Sequence, residues 1–180
     1  GRLAKAKTRF KRAKVSDIIE TRPLSDEKSR KWLRRQKQSF DVALADVPCS
    51  GTGTWRRNPD TRWRNYGPGV SDLIAVQADI LERVAGVVKV GGRLVYATCS
   101  LLPEENEHQI ERFLAAHPEF DLADLSSVWP AGCTPPNAGG YMRLTPKRHN
   151  TDGFFAAVLI RNAHGVTDKE SMPDTEGESA

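Results

Sequence analysis

Two apolar runs, each ending in a cysteine, constrain the fold of this chain more than any other feature. Phe40 to Val47 reads Phe-Asp-Val-Ala-Leu-Ala-Asp-Val and stops at Pro48-Cys49-Ser50-Gly51-Thr52-Gly53. Its length and its turn-forming end predict a buried parallel strand. Arg93 to Thr98 is the second run and leads into Cys99-Ser100. Between them Leu73, Val76, Ile80, Val84 and Val87 form one helical face, opened by Ser71 and Asp72 and closed by Gly91-Gly92. Strand, helix and strand in that order make a βαβ unit, whose crossover is almost always right-handed. The carboxyl ends of both strands then face one crevice, the place where open α/β sheets bind ligands.

The flanks complete an α/β domain. Leu3, Ala6, Phe10 and Ala13 recur at spacings of three and four among Arg2, Lys5, Lys7, Arg9, Lys11, Arg12 and Lys14, predicting an amphipathic helix with a cationic outer face. Ile18 to Thr21 reads as a short strand, and residues 25–38 as a capped helix or an ordered loop. Pro103-Glu104-Glu105 opens a helix that buries Ile110, Phe113 and Leu114, with proline and acids in the first turn. Residues 118–140 are a Pro- and Gly-rich connection without a period. Tyr141 to Leu144 and Phe154 to Ile160 predict a hairpin with a long loop. From His164 onward five acids lie among Gly, Ser, Thr and Pro, the composition of a disordered tail.

Charge narrows the partner. Fourteen of the 27 Lys and Arg lie in residues 1–38, against four acids there, which points to a polyanion such as nucleic acid or to a solvated helix face. Three cysteines, 50 and 34 residues apart, fit neither a disulfide framework nor a zinc pattern, so no metal is expected and a reducing cytoplasm is implied. No apolar run approaches the roughly 18 residues of a membrane span. The chain opens without Met, with a helical period already running, and reads as part of something longer.

Chemistry gathers at the strand ends. Cys99 lies where backbone N–H groups favour a thiolate, although an isolated strand cysteine is often only a small core residue. Cys49 is placed in the same way on the other strand, and neighbouring parallel strands lie about 5 Å apart, so both thiols can face one cavity. Asp46 adds a carboxylate three residues before Cys49, or else caps the turn. Residues 54–69 hold four Arg and three aromatics among turn formers, a composition for a functional loop. There Arg56, Arg57, Arg62, Arg64, Trp55 and Trp63 suit phosphates and exposed bases, or an Arg braces Asp60 within its own loop. Lys147, Arg148 and His149 form a second basic loop, with His149 read as solvent-exposed; Cys133 stands outside any motif.

Four linked motifs together resemble the Fmu/Sun-type RNA cytosine-5 methyltransferases, bacterial enzymes of ribosomal RNA that share their catalytic domain with the NOP/NOL/Sun proteins. They are Asp46-Val47-Pro48-Cys49-Ser50-Gly51-Thr52-Gly53; Arg56-Arg57-Asn58-Pro59-Asp60 with Trp63; Leu94-Val95-Tyr96-Ala97-Thr98-Cys99-Ser100 with Pro103-Glu104-Glu105-Asn106-Glu107; and Arg143-Leu144-Thr145-Pro146 through Asp152-Gly153-Phe154-Phe155. The likeness runs from about residue 1 to 161, in order and spacing.

The resemblance implies a Rossmann-like S-adenosylmethionine-dependent methyltransferase fold, a mostly parallel α/β sheet with a C-terminal antiparallel hairpin. It implies S-adenosyl-L-methionine as cofactor and RNA, ribosomal RNA in the family, as partner. Cys99 is the implied nucleophile toward carbon 6 of cytosine and Cys49 the thiol that assists product release; Asp46 is an implied catalytic carboxylate near both the cofactor's methionine end and the cytosine's polar edge, and Pro48 a further contact to the cofactor. Arg56, Arg57, Arg62, Trp63, Lys147 and Arg148 are the implied RNA contacts. The target base must leave its stack, so single-stranded or loop RNA is the natural substrate. The family's glycine-rich cofactor loop and its partner acid precede the segment that matches residue 1. The chain is therefore expected to hold a partial catalytic domain over 1–162 and an acidic tail over 163–180, with amino-terminal strands missing and weak cofactor binding alone. Two other readings stay open: a non-catalytic RNA-binding module with this fold, and a cysteine hydrolase, for which neither cysteine has a patterned His nearby.

Overall fold

A five-stranded sheet organises the residues from Gln38 onward and brings the two cysteines to one end of it. The computed structural model describes residues 2–63 and 67–163. Their contacts divide them into two units, one up to Lys37 and one from Gln38. The acidic tail expected over 163–180 lies, beyond Ala163, outside the described residues, as does Arg64.

The first unit contains helices α1 (Arg2–Arg12) and α2 (Glu27–Arg35). Asp26 caps α2, accepting the Lys28 and Ser29 backbone N–H groups at 3.3 Å each, so the alternative of an ordered loop falls away. Arg22 lies over the Trp32 ring at 4.3 Å. The strand predicted at 18–21 does not form. Residues Ser16–Ile18 make a 3-10 turn instead. A strand needs a neighbour for its backbone groups, and this unit has no other strand among its described residues.

In the second unit β1 (Phe40–Asp46) leads through α3 (Val70–Ala85) to β2 (Val88–Thr98), the βαβ unit predicted. The Asp72 carboxylate accepts the Gly69 N–H at 3.0 Å and so closes the first turn of α3. The helix ends at Ala85, earlier than Gly91-Gly92, because the chain turns at Gly86 and Val87 and the buried Val88 already opens β2. Those glycines lie inside β2, where the register with β1 slips between Phe40 and Val42. A Cβ on Gly92 would stand 3.0 Å from the Asp41 carbonyl oxygen, so glycine permits the close approach.

After β2 come a 3-10 turn (Pro103–Glu105), α4 (Glu107–Ala116), β3 (Phe120–Leu122), α5 (Leu125–Val128), β4 (Tyr141–Leu144), α6 (Pro146–His149) and β5 (Phe154–Arg161). The order across the sheet is β1-β2-β5-β3, with β4 also on β5. β1 and β2 pair in parallel; β2, β3 and β4 each pair with β5 antiparallel. The aperiodic stretch 118–140 thus supplies a short strand, and the predicted hairpin forms around α6.

The core is Leu81, Leu94, Tyr96, Ile110, Phe113, Phe155 and Leu159, with the Tyr96 and Phe155 rings edge to face at 6.3 Å. Burying each large apolar side chain contributes about 1.5–3 kcal/mol, so this layer fixes the sheet that carries the site. β1 departs from a fully buried strand. It is a sheet edge, and Val42 and Leu44 are 57% and 65% exposed while Ala45 and Val47 face the core.

Candidate active site

Parallel pairing sets Asp46 beside Ala97, so the two chains leave the sheet together and carry Cys49 and Cys99 to the same point. Gly51 takes a φ of +72°, which turns the chain immediately beyond Cys49. The two sulfurs stand 3.4 Å apart, both half-buried and both free thiols. The spacing inferred from adjacent strands therefore becomes a direct contact.

The contact divides the pair electrostatically. The Cys49 thiol donates to Cys99, and this outweighs burial to hold Cys99 at about 7, below its ordinary 9.0; the Cys99 backbone N–H also helps. The charges of Asp46 and Glu105 work against that ionisation. Cys49 is driven upward, first by its bond to Cys99 and then by burial. Around neutral pH the pair thus begins to populate a state with the thiolate on Cys99 and the proton on Cys49.

Asp46 and Pro48 stand exposed at the end of β1, beside the sulfur pair. Among the described residues the Asp46 carboxylate takes no hydrogen bond from the turn, so the capping alternative is not realised. It stays free to face a ligand.

Behind the sulfurs lies a polar network whose centre, Glu105, has no exposed surface. Its Oε1 accepts the Ser50 N–H at 2.8 Å and Gln77 Nε2 at 3.1 Å; its Oε2 accepts the Ser50 and Ser100 hydroxyls at 2.5 Å each. Gln77 also donates to the Pro48 carbonyl at 2.9 Å, and Gln109 steadies Gln77 at 2.9 Å. The Thr98 hydroxyl donates to Asn106, which in turn donates to the Ser100 carbonyl. The sequence pattern places Glu105 among the first-turn acids of a helix and gives it no part in the site. The helix in fact begins after a break at Asn106, because these two side chains turn back to the strand ends. Two serines that directly follow two strand-end cysteines are the signal that a shared acceptor lies nearby.

A third loop closes the site. The Gly53 N–H donates to the Cys99 carbonyl at 2.9 Å, and the Gly53 carbonyl accepts the Gly153 N–H at 2.7 Å. Arg57 pairs with Asp152 at 2.8 Å and Arg56 donates to the Asn150 carbonyl at 3.1 Å, so neither braces Asp60. These bonds join the two basic loops, separate in the sequence, into one surface with Lys147 and Arg148 exposed on α6. Arg62 stacks near Trp55 and Trp63 at 5.6 and 5.3 Å, and Trp63 is 74% exposed. His149, expected in solvent, is half-buried and accepts the Thr145 N–H at 3.0 Å, closing its own helical turn. Cys133 is exposed and apart from the site. Among the described residues no cluster of His, Cys, Asp and Glu is arranged for a metal, and no helix is long and apolar enough to cross a membrane.

A parallel βαβ unit whose strand ends present the site, extended by antiparallel strands, defines the Rossmann-like fold of S-adenosylmethionine-dependent methyltransferases. The chain belongs to the family described as 16S rRNA methyltransferase RsmB/F, whose model matches residues 1–160. It is 46% identical over 119 residues to a probable ribosomal RNA small subunit methyltransferase B of Synechocystis, covering 66% of this chain and 27% of that protein. With ribosomal RNA small subunit methyltransferase B of Yersinia pseudotuberculosis it shares 43% identity over 124 residues, covering 69% and 27%. The crystal structure of PH0851, 39% identical, superposes with a TM-score of 0.67 over 86% of this chain and 35% of that one. The chain spans about a quarter of the length of the curated relatives it matches.

Proposed function

We propose that the protein methylates carbon 5 of cytosine in RNA, with small-subunit ribosomal RNA as its substrate class and S-adenosylmethionine as methyl donor. The observation that carries this is the thiolate–thiol pair, sulfurs 3.4 Å apart, at the shared end of two parallel strands. Family membership supports the donor and the RNA.

Carbon 5 of cytosine is a poor nucleophile. Cys99 Sγ, ionised at neutral pH, adds to carbon 6, and the carbon 5–carbon 6 π electrons move onto the ring, leaving carbon 5 enamine-like. The residues present fit the donor on one side: Asp46 offers an exposed carboxylate to a cationic sulfonium or ammonium, and Pro48 offers an apolar edge. When bound, S-adenosylmethionine supplies an electrophilic methyl group. Release needs a proton to leave carbon 5, so that the double bond reforms and Cys99 departs as thiolate. Cys49 Sγ is next to that bond. Its proton is held first by the hydrogen bond to the Cys99 thiolate, then by burial and by the charge on Cys99, and both the bond to a thiolate and that charge are lost once Cys99 is bonded to carbon 6. Cys49 therefore gains acidity at the stage when a base is wanted: it gives its own proton to water and, as thiolate, takes the carbon 5 proton directly or through water.

The test is methyl transfer by the complete protein to small-subunit ribosomal RNA, mapped by bisulfite sequencing. 5-Methylcytosine is the expected product, and methyl groups on any other atom overturn the reading. The rate constant kcat/KM should rise through about pH 7 as Cys99 ionises; a limb near 9.0 would show that the contact with Cys49 does not lower Cys99 in the working enzyme.

RNA binding is proposed for Arg56, Arg57, Arg62, Trp63, Lys147 and Arg148. Lys147→Gln and Arg148→Gln touch no hydrogen bond or ion pair of the site. Each should weaken RNA binding and flatten its log–log salt dependence by about 0.7, the value for one phosphate contact on a single strand. Unchanged salt slopes would place the RNA elsewhere.

A further inference from the structure

We propose that Glu105 is a positioning residue for this reaction, a buried carboxylate that clamps the serine following each cysteine and thereby sets the contact between the two sulfurs. The consequence for methyl transfer rests on the proposed function; the clamp itself rests on geometry alone.

Glu105 bonds to Ser50 through both its N–H and its hydroxyl, and to Ser100 through its hydroxyl. Ser50 follows Cys49 and Ser100 follows Cys99, so one side chain grips both thiol-bearing turns. Four donors converge on two oxygens, and only a carboxylate offers that many acceptor positions with no donor of its own. Burying a carboxylate without a cation is costly, and among the described residues no cation pairs with Glu105. The four donors offset that cost, and the outcome is a rigid link between β1 and β2 beyond their last paired residues. Glu105 is itself fixed: the Tyr96 hydroxyl donates to its carbonyl at 2.6 Å, and Gln109 holds Gln77 against it. No step proposed above uses Glu105 as acid, base or nucleophile, and it does not touch either sulfur.

The groups that act on Cys99 are Cys49 from the turn after β1, Asp46 from β1 and Glu105 from the turn before α4, while Tyr96 from β2 acts on Cys49 and Glu105. Glu105 therefore acts on Cys99 in two opposed ways. Its charge disfavours the thiolate, whereas its clamp holds the Cys49 thiol in place to favour it. Two substitutions separate them. Glu105→Gln removes the charge and keeps acceptor and donor positions for serines whose hydroxyls can rotate. Glu105→Ala removes both.

The test reads peptide-resolved alkylation of Cys99 by iodoacetamide against pH, together with kcat and KM for small-subunit RNA, all in the complete protein. For Glu105→Gln the alkylation limb should move below about 7 with kcat within about tenfold of wild type. For Glu105→Ala it should move up toward 9.0, with kcat lower by on the order of a hundredfold and KM unchanged. Should Glu105→Ala fail to fold, the Ser50→Ala/Ser100→Ala double variant removes the two hydroxyl donors, keeps the charge, and should also move the limb upward. A merely structural Glu105 would lower the melting temperature and leave the limb in place, which overturns the proposal. Movement of both Glu105 variants downward also overturns it, since charge alone would then act. Opposite movements of the two variants without methyl transfer from the wild-type protein uphold the clamp and overturn the reaction class instead.

Discussion

Cys99→Ala should leave no detectable methyl transfer and no covalent RNA adduct, whereas Cys49→Ala should accumulate an adduct that survives denaturing electrophoresis. Removing a nucleophile from a site of this kind costs on the order of 10⁴-fold or more in rate. The two thiols are not equivalent here, because Cys99 ionises at about 7 while its neighbour holds a proton. The same contact refines the expectation. Cys49→Ala removes the hydrogen bond that lowers Cys99, so its adduct should form slowly at neutral pH and faster toward 9.0. Cys49→Ser keeps a donor at that place and should form its adduct readily at neutral pH while still failing to release it. Gel shifts of labelled RNA across pH distinguish the variants. An adduct from Cys99→Ala and none from Cys49→Ala would assign the nucleophile to Cys49.

That asymmetry was only half legible in the sequence. The order β1, α3, β2 and the convergence of two cysteines follow from periodicity and from the spacing of parallel strands, both local or nearly so. What decides between the thiols is a distance of 3.4 Å between residues 50 apart in the chain, which no period records. Glu104 and Glu105 show the same limit. Both look like first-turn acids that suit a helix dipole, yet Glu104 is exposed and Glu105 is buried, and only the positions of Ser50 and Ser100 separate them. The apolar run of β1 predicts a buried strand, but such a run does not reveal whether one face or two are covered, and Val42 and Leu44 lie outward. The strand expected at 18–21 failed for a related reason: β-forming residues make a strand only beside another one.

Gly53→Ala should destabilise the second unit by about 3 kcal/mol, because the added methyl has nowhere to go. Its Cβ would stand 2.3 Å from the Gly153 carbonyl oxygen and 2.8 Å from that of Cys99, and both are backbone atoms. A flexible side chain can swing aside from such a clash; two backbones held by their own hydrogen bonds cannot. Gly53 is bonded on both sides, its N–H to Cys99 and its carbonyl to the Gly153 N–H. Relief must therefore separate the turn after Cys49 from the turn after Cys99, or both from the 150–153 loop. With about 2–4 °C per kcal/mol for a chain of this size, the melting temperature should fall by on the order of 10 °C. Gly86→Ala is the matched comparison, since its nearest neighbour would be 4.0 Å away and its φ is −62°. It should be neutral or slightly stabilising, by up to about 1 kcal/mol. Well below its melting temperature Gly53→Ala should still lose activity, as the sulfur contact opens and Cys99 titrates toward its ordinary range. Thermal unfolding alongside Cys99 alkylation measures both effects, and a Gly53→Ala protein that melts and titrates like Gly86→Ala would show that the three-loop junction does not hold the thiol pair.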